Sequence, residues 1–253
     1  MKKILLLFTL VFSSSIAKAD CSSNGLYFYP VQKEISLNSI FIIEGYYNSQ
    51  KIIEAFDTRP IYLVTEKGET IQLVLQNIYV GQMQLTQAVF KPVKALNPNT
   101  KYYLQYSNQT KTEATQLEKW NSIKKKKERV YWITTEEKTN KPLNSNLTIE
   151  YKKTDIAFYG CGPAAYAVFS IINKPDNEIW YKTEVIDLST SKSSIYLIKS
   201  GDGTLSVGHG MFSGSFTFNQ TGKYKVRFTP MNSDGKTLNT TNWIAFNSPF
   251  MNN

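Results

Sequence analysis

Short runs in which apolar and polar residues alternate occur along most of the chain. Clear examples are residues 70–76 (TIQLVLQ) and 223–228 (KYKVRF). The side chains of a β-strand point alternately to opposite faces, so a period of two predicts strands with one face in a core and the other in water. The runs end at Gly, Pro, Asn or Asp, which are typical strand boundaries. The pattern predicts an all-β fold.

In the first half of the chain the pattern predicts seven strands. Gly68 lies in the turn between the third and fourth strands and can adopt the positive φ that a hairpin needs. The predicted strands are residues 25–30, 34–45, 61–64, 70–76, 88–93, 102–106 and 129–135.

An insertion at residues 107–128 separates the last two of these strands and is long for a loop. Leu117, Trp120 and Ile123 recur at helical spacing, so we expect a short amphipathic helix that packs on the sheet. Four consecutive lysines follow at residues 124–127. They indicate either a solvated basic loop or a contact for anionic polysaccharide, lipid headgroups or an acidic partner.

The second half begins after a linker that we predict at residues 139–146, a stretch with one proline and many polar residues. Residues 200–203 (SGDG) predict a tight turn. The strands predicted in this half are residues 147–150, 164–172, 180–188, 195–198, 215–219 and 223–228.

A turn followed by a strand carries a tyrosine at a similar place in each half. Residues 96–106 (LNPNTKYYLQY) place Tyr102 two residues before an apolar strand position, and residues 218–228 (FNQTGKYKVRF) do the same with Tyr224. The spacing Leu-x-Pro-x-Thr-x-Tyr-x-Leu resembles the tyrosine corner of fibronectin type III domains and of related bacterial Ig-like domains. The second segment is similar to the corner of Ig-like and polycystic-kidney-disease-type domains.

These resemblances imply two Ig-like (fibronectin type III-like) antiparallel β-sandwich domains, at residues 20–138 and 147–253. They also imply that each tyrosine hydroxyl is hydrogen-bonded to the backbone a few residues upstream, near Leu96 and Phe218. The two tyrosines lie about one domain length apart, so we expect two copies of one architecture. The resemblance concerns a fold and no reaction.

The first nineteen residues have the pattern of a cleaved signal peptide. Two lysines precede an apolar run at residues 4–12, and residues 17–19 (AKA) have the small-x-small form of a cleavage site. The run is shorter than the roughly 20 residues of a spanning helix, and no later run is longer. We therefore expect export through the secretory pathway to the periplasm or the outside, with no transmembrane segment in the mature chain.

Composition and charge limit the expected partners. The chain has 253 residues, of which 42% are hydrophobic and 19% charged, enough for packed cores. Removal of residues 1–19 takes away three lysines and no acid, which leaves 26 Lys and Arg against 20 Asp and Glu. Much of that excess lies in residues 119–129, so a nucleic-acid partner is not expected. The expected partner is a protein or polysaccharide of the cell envelope or surface.

Two cysteines, Cys21 and Cys161, would both reach an oxidising compartment. An even number of cysteines there predicts a disulfide, with Cα atoms within about 7 Å of each other. The alternative is that Cys161 is a small buried apolar residue and Cys21 lies in a frayed terminus.

One segment resembles a catalytic motif. Residues 159–169 (YGCGPAAYAVF) are similar to the nucleophile segment of C39-type cysteine peptidases, in which the Cys begins a helix. The resemblance implies Cys161 as nucleophile and His209, the one histidine, as base. Asp155 stands where that family has a Gln. The competing interpretation is a turn followed by a strand at residues 164–172, with Cys161 and His209 not forming a working pair.

No catalytic, cofactor or metal site is predicted otherwise. One His and two distant Cys cannot supply ordinary zinc-ligand spacing, and phosphate-binding fingerprints are absent from the sequence. Lys223, Lys225 and Arg227 share one strand face, which either binds an anion or is simply the wet face of a sheet. The aromatic candidates for sugar stacking, which burial in a core would rule out, are Tyr46, Tyr47, Trp180, Tyr181 and Trp243.

The function expected from the sequence is that of an exported, non-catalytic binding, adhesion or envelope structural module. A secreted cysteine peptidase is the alternative.

Overall fold

The computed structural model describes residues 24–137, 143–174 and 178–252. Within these ranges the chain forms seventeen β-strands and two short α-helices. The all-β fold predicted from the alternating pattern is confirmed. The predicted signal peptide at residues 1–19, Cys21 and part of the predicted linker lie outside the described residues, so the disulfide between Cys21 and Cys161 stays a prediction.

The N-terminal half contains ten strands and both α-helices. The strands are β1 Gly25–Tyr29, β2 Glu34–Ile35, β3 Phe41–Tyr46, β4 Ile61–Thr65, β5 Thr70–Val80, β6 Leu85–Pro92, β7 Lys101–Tyr106, β8 Glu118–Asn121, β9 Lys126–Arg129 and β10 Tyr131–Thr134. The helices are α1 Gln50–Glu54 and α2 Lys111–Gln116.

Eight of these strands form one sheet in the order β1-β3-β6-β5-β4-β7-β10-β2. The sheet folds over on itself: the ring of Phe41 in β3 lies 4.9 Å from that of Trp132, although β10 stands five places further along the sheet. β5 makes the passage between the two layers. It pairs with β4 through its first residues and with β6 through the rest, and its register shifts between Leu75 and Asn77. A bulge of this kind bends a strand.

The C-terminal half has seven strands in two separate sheets. The strands are β11 Thr148–Tyr159, β12 Gly162–Ile172, β13 Ile179–Asp187, β14 Ser193–Lys199, β15 Thr204–His209, β16 Lys223–Asn232 and β17 Ile244–Asn247. One sheet has the order β11-β12-β15 and the other β14-β13-β16-β17. The ring of Phe169 lies 5.1 Å from that of Phe228, so the two sheets face each other across a shared core.

Both tyrosine corners are present as predicted. Tyr102 and Tyr224 are buried near the starts of β7 and β16. Each hydroxyl accepts a hydrogen bond from a backbone N–H five residues upstream, that of Asn97 or of Asn219, and both distances are 2.9 Å. The N–H groups belong to the residues directly after Leu96 and Phe218, as expected.

Several local predictions are wrong. The insertion does not form a helix on Leu117, Trp120 and Ile123; α2 lies earlier, and β8 and β9 form a hairpin after it. Thr110 and Glu113 cap α2 reciprocally, a local signal stronger than the apolar spacing. Leu117 is buried, but Trp120 is 63% and Ile123 90% exposed.

Three elements in the C-terminal half and one in the N-terminal half also differ from the prediction. Residues 215–219 form no strand, although Phe216 and Phe218 are buried at alternate positions as the pattern requires. His209 ends β15 and does not lie in a loop, and β17 was not predicted. α1 follows β3 without an apolar period long enough to indicate it.

The two halves pack against each other through the outer face of the β3 and β6 layer. Ile42 and Val89 from this face contact Trp180 and Leu197 of the C-terminal half. The side chain of Gln87 spans the junction: its Oε1 accepts a hydrogen bond from the Leu197 N–H at 3.0 Å and its Nε2 donates to the Leu197 carbonyl at 3.3 Å.

A buried carboxylate lies at the same junction. Glu44 is 7% exposed and accepts hydrogen bonds from Tyr46 (2.6 Å) and Gln87 (3.0 Å) of its own half and from Tyr196 (3.2 Å) of the other. Burial raises the pKa of Glu44 above its ordinary value, and the three hydrogen bonds act in the opposite direction. The junction is therefore specified by polar pairing as well as by apolar contact.

Candidate functional site

Cys161 and His209, the pair that the alternative peptidase interpretation requires, lie on different elements. Cys161 is in the turn between β11 and β12, and β12 is a strand where the peptidase motif would require a helix. His209, at the end of β15, pairs with Ala165 of β12, whereas Cys161 precedes the first residue of β12. The Nδ1 of His209 lies 2.9 Å from the carbonyl oxygen of Gly210. This arrangement contains no nucleophile and base in contact.

Two of the three residues of the basic stripe on β16, Lys225 and Arg227, are engaged within the protein. Lys225 and Arg227 lie over the ring of Trp243, at 4.7 and 4.5 Å from its centroid. Arg227 also forms an ion pair with Glu184 at 2.6 Å. Contacts of this kind stabilise the outer face of the sheet and engage Lys225 and Arg227, whereas Lys223 is exposed and takes part in none of them.

The aromatic candidates for sugar stacking are mostly covered. Trp180 and Tyr181 are buried, and the ring of Trp243 is covered by cations. Tyr46 is occupied by its hydrogen bond to Glu44. Tyr47 is 38% exposed and is the one member of the set with a largely open side chain.

A cleft at the junction of the two halves collects aromatic rings and lysines. It has a volume of about 330 Å³, and no acidic residue lines it. Strand β1 contributes its central aromatic residues, and the Nε1 of Trp132 donates to the Pro30 carbonyl at 2.8 Å, which holds the end of β1 in place. We call it the lysine cleft and define it by the residues Tyr27, Phe28, Tyr29, Lys33, Lys119, Trp132 and Lys199.

Two of the cleft lysines bind backbone carbonyls and lie over aromatic rings. The Nζ of Lys119 donates to the Leu26 carbonyl at 2.6 Å and lies 5.3 Å from the centroid of the Phe28 ring. The Nζ of Lys33 donates to the Tyr131 carbonyl at 3.3 Å and lies 4.4 Å from the centroid of that residue's ring. Backbone contacts and ring faces thus fix the position of both ammonium groups.

Lys199 is the contribution of the C-terminal half. It lies over the ring of Tyr29 at 5.4 Å and pairs with Glu178 at 3.9 Å. The Glu178 carboxylate is also held by the Val31 N–H at 3.0 Å and the Trp180 Nε1 at 2.9 Å. Glu178 therefore links Lys199 to the residues directly after β1.

Lys33 and Lys119 are short of compensating charge. Within the part of the chain that the structure describes, neither has a carboxylate oxygen within 4.0 Å of its Nζ. Both side chains keep much of their surface in solvent, but partial burial of the ammonium groups lowers the pKa of each; for Lys33 the charge of Glu128 acts in the opposite direction. Such groups favour an anion as their next contact.

Sequence reasoning missed this cleft. Lys119 was noticed as part of a basic loop, but Lys33 and Lys199 stand alone in the sequence, 166 residues apart. They come together because β1, the β8–β9 hairpin and β14 meet at the junction of the halves. Neither alternation nor motif spacing carries that information.

Comparison with known proteins shows little. No family model matches the chain, and no curated protein matches it. Among solved structures, the chain is similar to a pullulanase from Anoxybacillus sp. LM18-11 complexed with maltotriose at 7% identity and a TM-score of 0.26, covering 88% of this chain and 25% of that one. A Salmonella alpha-2-macroglobulin reacted with methylamine gives 10% identity, a TM-score of 0.24, and 89% and 15% coverage. The chain thus spans a quarter or less of the structures it matches.

Two further properties concern the described residues alone. None of their helices is both long enough and apolar enough to cross a bilayer. Among these residues, no group of three or more His, Cys, Asp or Glu side chains is placed so that it could bind a metal ion.

Proposed function

We propose that this protein is an exported, non-catalytic binding module built from two Ig-like β-sandwich domains. The strand order supports the domain assignment. Without β2 and the β8–β9 hairpin, the N-terminal half has seven strands. β1, β3, β6 and β5 (the first, second, fifth and fourth) form one layer, and β4, β7 and β10 (the third, sixth and seventh) form the other, which is the strand order of an Ig domain. The C-terminal half differs only in that its fourth strand, β14, pairs with the third strand, β13, and so joins the sheet of the third, sixth and seventh strands.

Export rests on the sequence of residues 1–19, and the expected compartment is the periplasm or the outside of the cell. The partner that we propose is a protein or polysaccharide of the envelope or surface. A peptidase role for Cys161 and His209 has no support from their positions, because a nucleophile and its base must come within hydrogen-bond reach.

One observation carries the choice of ligand: Lys33 and Lys119 present partly desolvated ammonium groups beside aromatic rings and have no acidic partner in the cleft. A cation removed from water loses solvation free energy unless an opposite charge or hydrogen-bond acceptors replace the water. A carboxylate or sulfate group would supply that charge, and the side chain of Tyr27, which is 51% exposed, would contact the apolar part of a sugar or side chain. We infer that the lysine cleft binds an anionic group carried by the envelope partner.

The proposal is tested by calorimetric titration of the mature protein with an oligouronate and with a neutral oligosaccharide of the same length. Lys33→Ala and Lys119→Ala should each weaken oligouronate binding at least about tenfold, because a hydrogen bond to a charged group contributes about 1.5 to 3 kcal/mol. Lys51→Ala, on exposed helix α1, is the matched control and should leave the affinity unchanged.

Equal binding of both sugars, or equal binding by the cleft variants and the parent, would refute the anionic-ligand assignment. Thermal unfolding of each variant separates a lost contact from a lost fold.

A further inference from the structure

The β8–β9 hairpin stands apart from both sandwiches. Its two strands form a sheet of their own, with Trp120 opposite Lys127 and Lys119 opposite Glu128. At its base the Val130 N–H donates to the Leu117 carbonyl at 2.7 Å, and the buried Leu117 side chain joins the core of the N-terminal half. The hairpin is thus attached to the body at its base and through the side chains of Lys119 and Arg129, which donate to the Leu26 and Leu104 carbonyls, and its tip is exposed.

Two large apolar side chains on this hairpin face solvent. Trp120 is 63% exposed, and Ile123, in the turn, is 90% exposed. A single exposed apolar residue is common on protein surfaces. Here two large apolar side chains lie within four residues of each other, and the protein buries neither of them. They indicate a surface that binds an apolar partner.

The same hairpin is strongly basic. Residues 118–129 contain six basic and two acidic residues, a net charge of +4. Lys124 pairs with Glu128 at 2.9 Å, whereas Lys125, Lys126 and Lys127 are exposed and have no ion pair within the described parts of the chain. Because directly opposite residues of a hairpin share a face, Trp120 and Lys127 point the same way.

We propose that this hairpin docks on the surface of an anionic lipid bilayer. Trp120 and Ile123 would enter the boundary between headgroups and acyl chains, and Lys125, in the turn, and Lys127, opposite Trp120, would lie among the phosphates. A tryptophan and an aliphatic residue beside a lysine cluster match both layers of that interface. A soluble polyanion would use the lysines but would leave Ile123 in water, so the apolar residues favour the bilayer.

The proposed membrane contact is separate from the lysine cleft. Successive residues of a strand point to opposite faces, so Lys119 turns toward the body and the cleft while Trp120 turns away. Both sites can therefore be occupied at once, and variants of one leave the other intact.

The test is co-sedimentation of the mature protein with phosphatidylcholine vesicles, with and without phosphatidylglycerol. We expect binding only to the anionic vesicles, with a blue shift of tryptophan fluorescence, since Trp132 and Trp180 are already buried. The double variant Trp120→Ser with Ile123→Ser should lose most of the binding. Lys125→Gln and Lys127→Gln should each weaken it about fivefold.

Controls separate the possible outcomes. Val80→Ser removes an apolar residue that is 62% exposed on another strand, and Lys51→Gln removes an exposed lysine of α1; both variants should bind the vesicles like the parent. Equal binding to neutral vesicles would overturn the proposal. So would an unimpaired Trp120→Ser, Ile123→Ser variant, which would assign the hairpin to a soluble polyanion instead.

Discussion

The two halves of the molecule share one corner and differ around it. In both, the corner hydroxyl accepts from an Asn N–H at 2.9 Å, and the carbonyl of that same Asn accepts at 2.6 Å from a hydroxyl on or just after the last strand, Thr134 or Ser248. The corner tyrosines pair across the sheet with Trp132 and Phe246. These two hydrogen bonds and the cross-strand pair, which we call the shared frame, therefore occur in both halves, although the halves otherwise show little sequence repetition.

The differences lie where the candidate sites are. The fourth strand of the N-terminal half, β5, joins both layers, while that of the C-terminal half, β14, belongs to one sheet and carries Lys199 at its end. The β8–β9 hairpin, with Lys119 and Trp120, has no counterpart among the described residues of the second half. Both proposed binding sites therefore lie in parts that are not repeated, and we expect the shared frame to supply stability.

The most severe test of the shared frame is truncation of the residue opposite each corner tyrosine. Trp132→Ala and Phe246→Ala should each lower the free energy of unfolding by about 3 to 5 kcal/mol, because both are buried aromatic residues. Trp132→Ala should be the more destabilising, since its Nε1 also binds the Pro30 carbonyl. Urea unfolding measures both. Trp120→Ala is the exposed control, and a Phe246→Ala variant as stable as the parent would break the equivalence of the two halves.

Removal of the corner hydroxyls tests the same frame more finely. Tyr102→Phe and Tyr224→Phe should each cost about 1 to 3 kcal/mol, because each leaves a backbone N–H without its partner. The geometry of the two bonds is the same, so the two losses should agree closely. Tyr151→Phe, on a partly exposed ring, serves as control. A loss of stability in only one of the two variants would show that the two N–H groups are not equally buried, although the two hydrogen bonds have the same length.

The weakest expected effect concerns the junction between the halves. Burial raises the pKa of Glu44, so the folded protein holds this proton more tightly than the unfolded chain does. Its stabilising contribution is complete below the ordinary value of 4.5 and is lost as the pH rises through the folded-state pKa. Glu44→Gln should therefore unfold at higher denaturant concentration than the parent at neutral pH, and the advantage should vanish in acid.

Glu113 provides the comparison of opposite sign. Its hydrogen bonds with Arg59 lower its pKa to about 2, so its contribution is present above 4.5 and is lost as the pH falls toward 2. Glu113→Gln should destabilise the protein at neutral pH and have little effect in strong acid. Parallel pH profiles for the Glu44 and Glu113 variants would contradict both assignments.

The sequence was sufficient for the features that depend on local pattern. The all-β class and the hairpin at Gly68 follow from alternation and turn residues, and both tyrosine corners were expected from the resemblance of the segments around Tyr102 and Tyr224 to Ig-like domains. The insertion was misjudged because Leu117, Trp120 and Ile123 happen to fit a helical period, whereas the Thr110 and Glu113 cap fixed the helix earlier. The residues after His209 were misjudged because alternation records burial, and Phe216 and Phe218 are buried without strand pairing.

The lysine cleft could not have been predicted in the same way. It depends on how two sandwiches meet, and the residues that settle the meeting, Glu44, Gln87 and Tyr196, form a network that no sequence spacing announces. A glutamate in a strand of apolar neighbours, residues 39–45, is a small anomaly in the alternating pattern. That anomaly was the only trace of the junction in the sequence.

The lysine cleft takes Lys33 and Lys119 from one sandwich and Lys199 from the other. A bound anion held by all three would act as a removable cross-link, because the halves could not part without first releasing it. At a ligand concentration one hundred times the dissociation constant, mass action would add about 2.7 kcal/mol to the work of separating them. The protein would then be stiffest where its ligand is most abundant, so occupancy of the cleft would tune the mechanical coupling of the two domains.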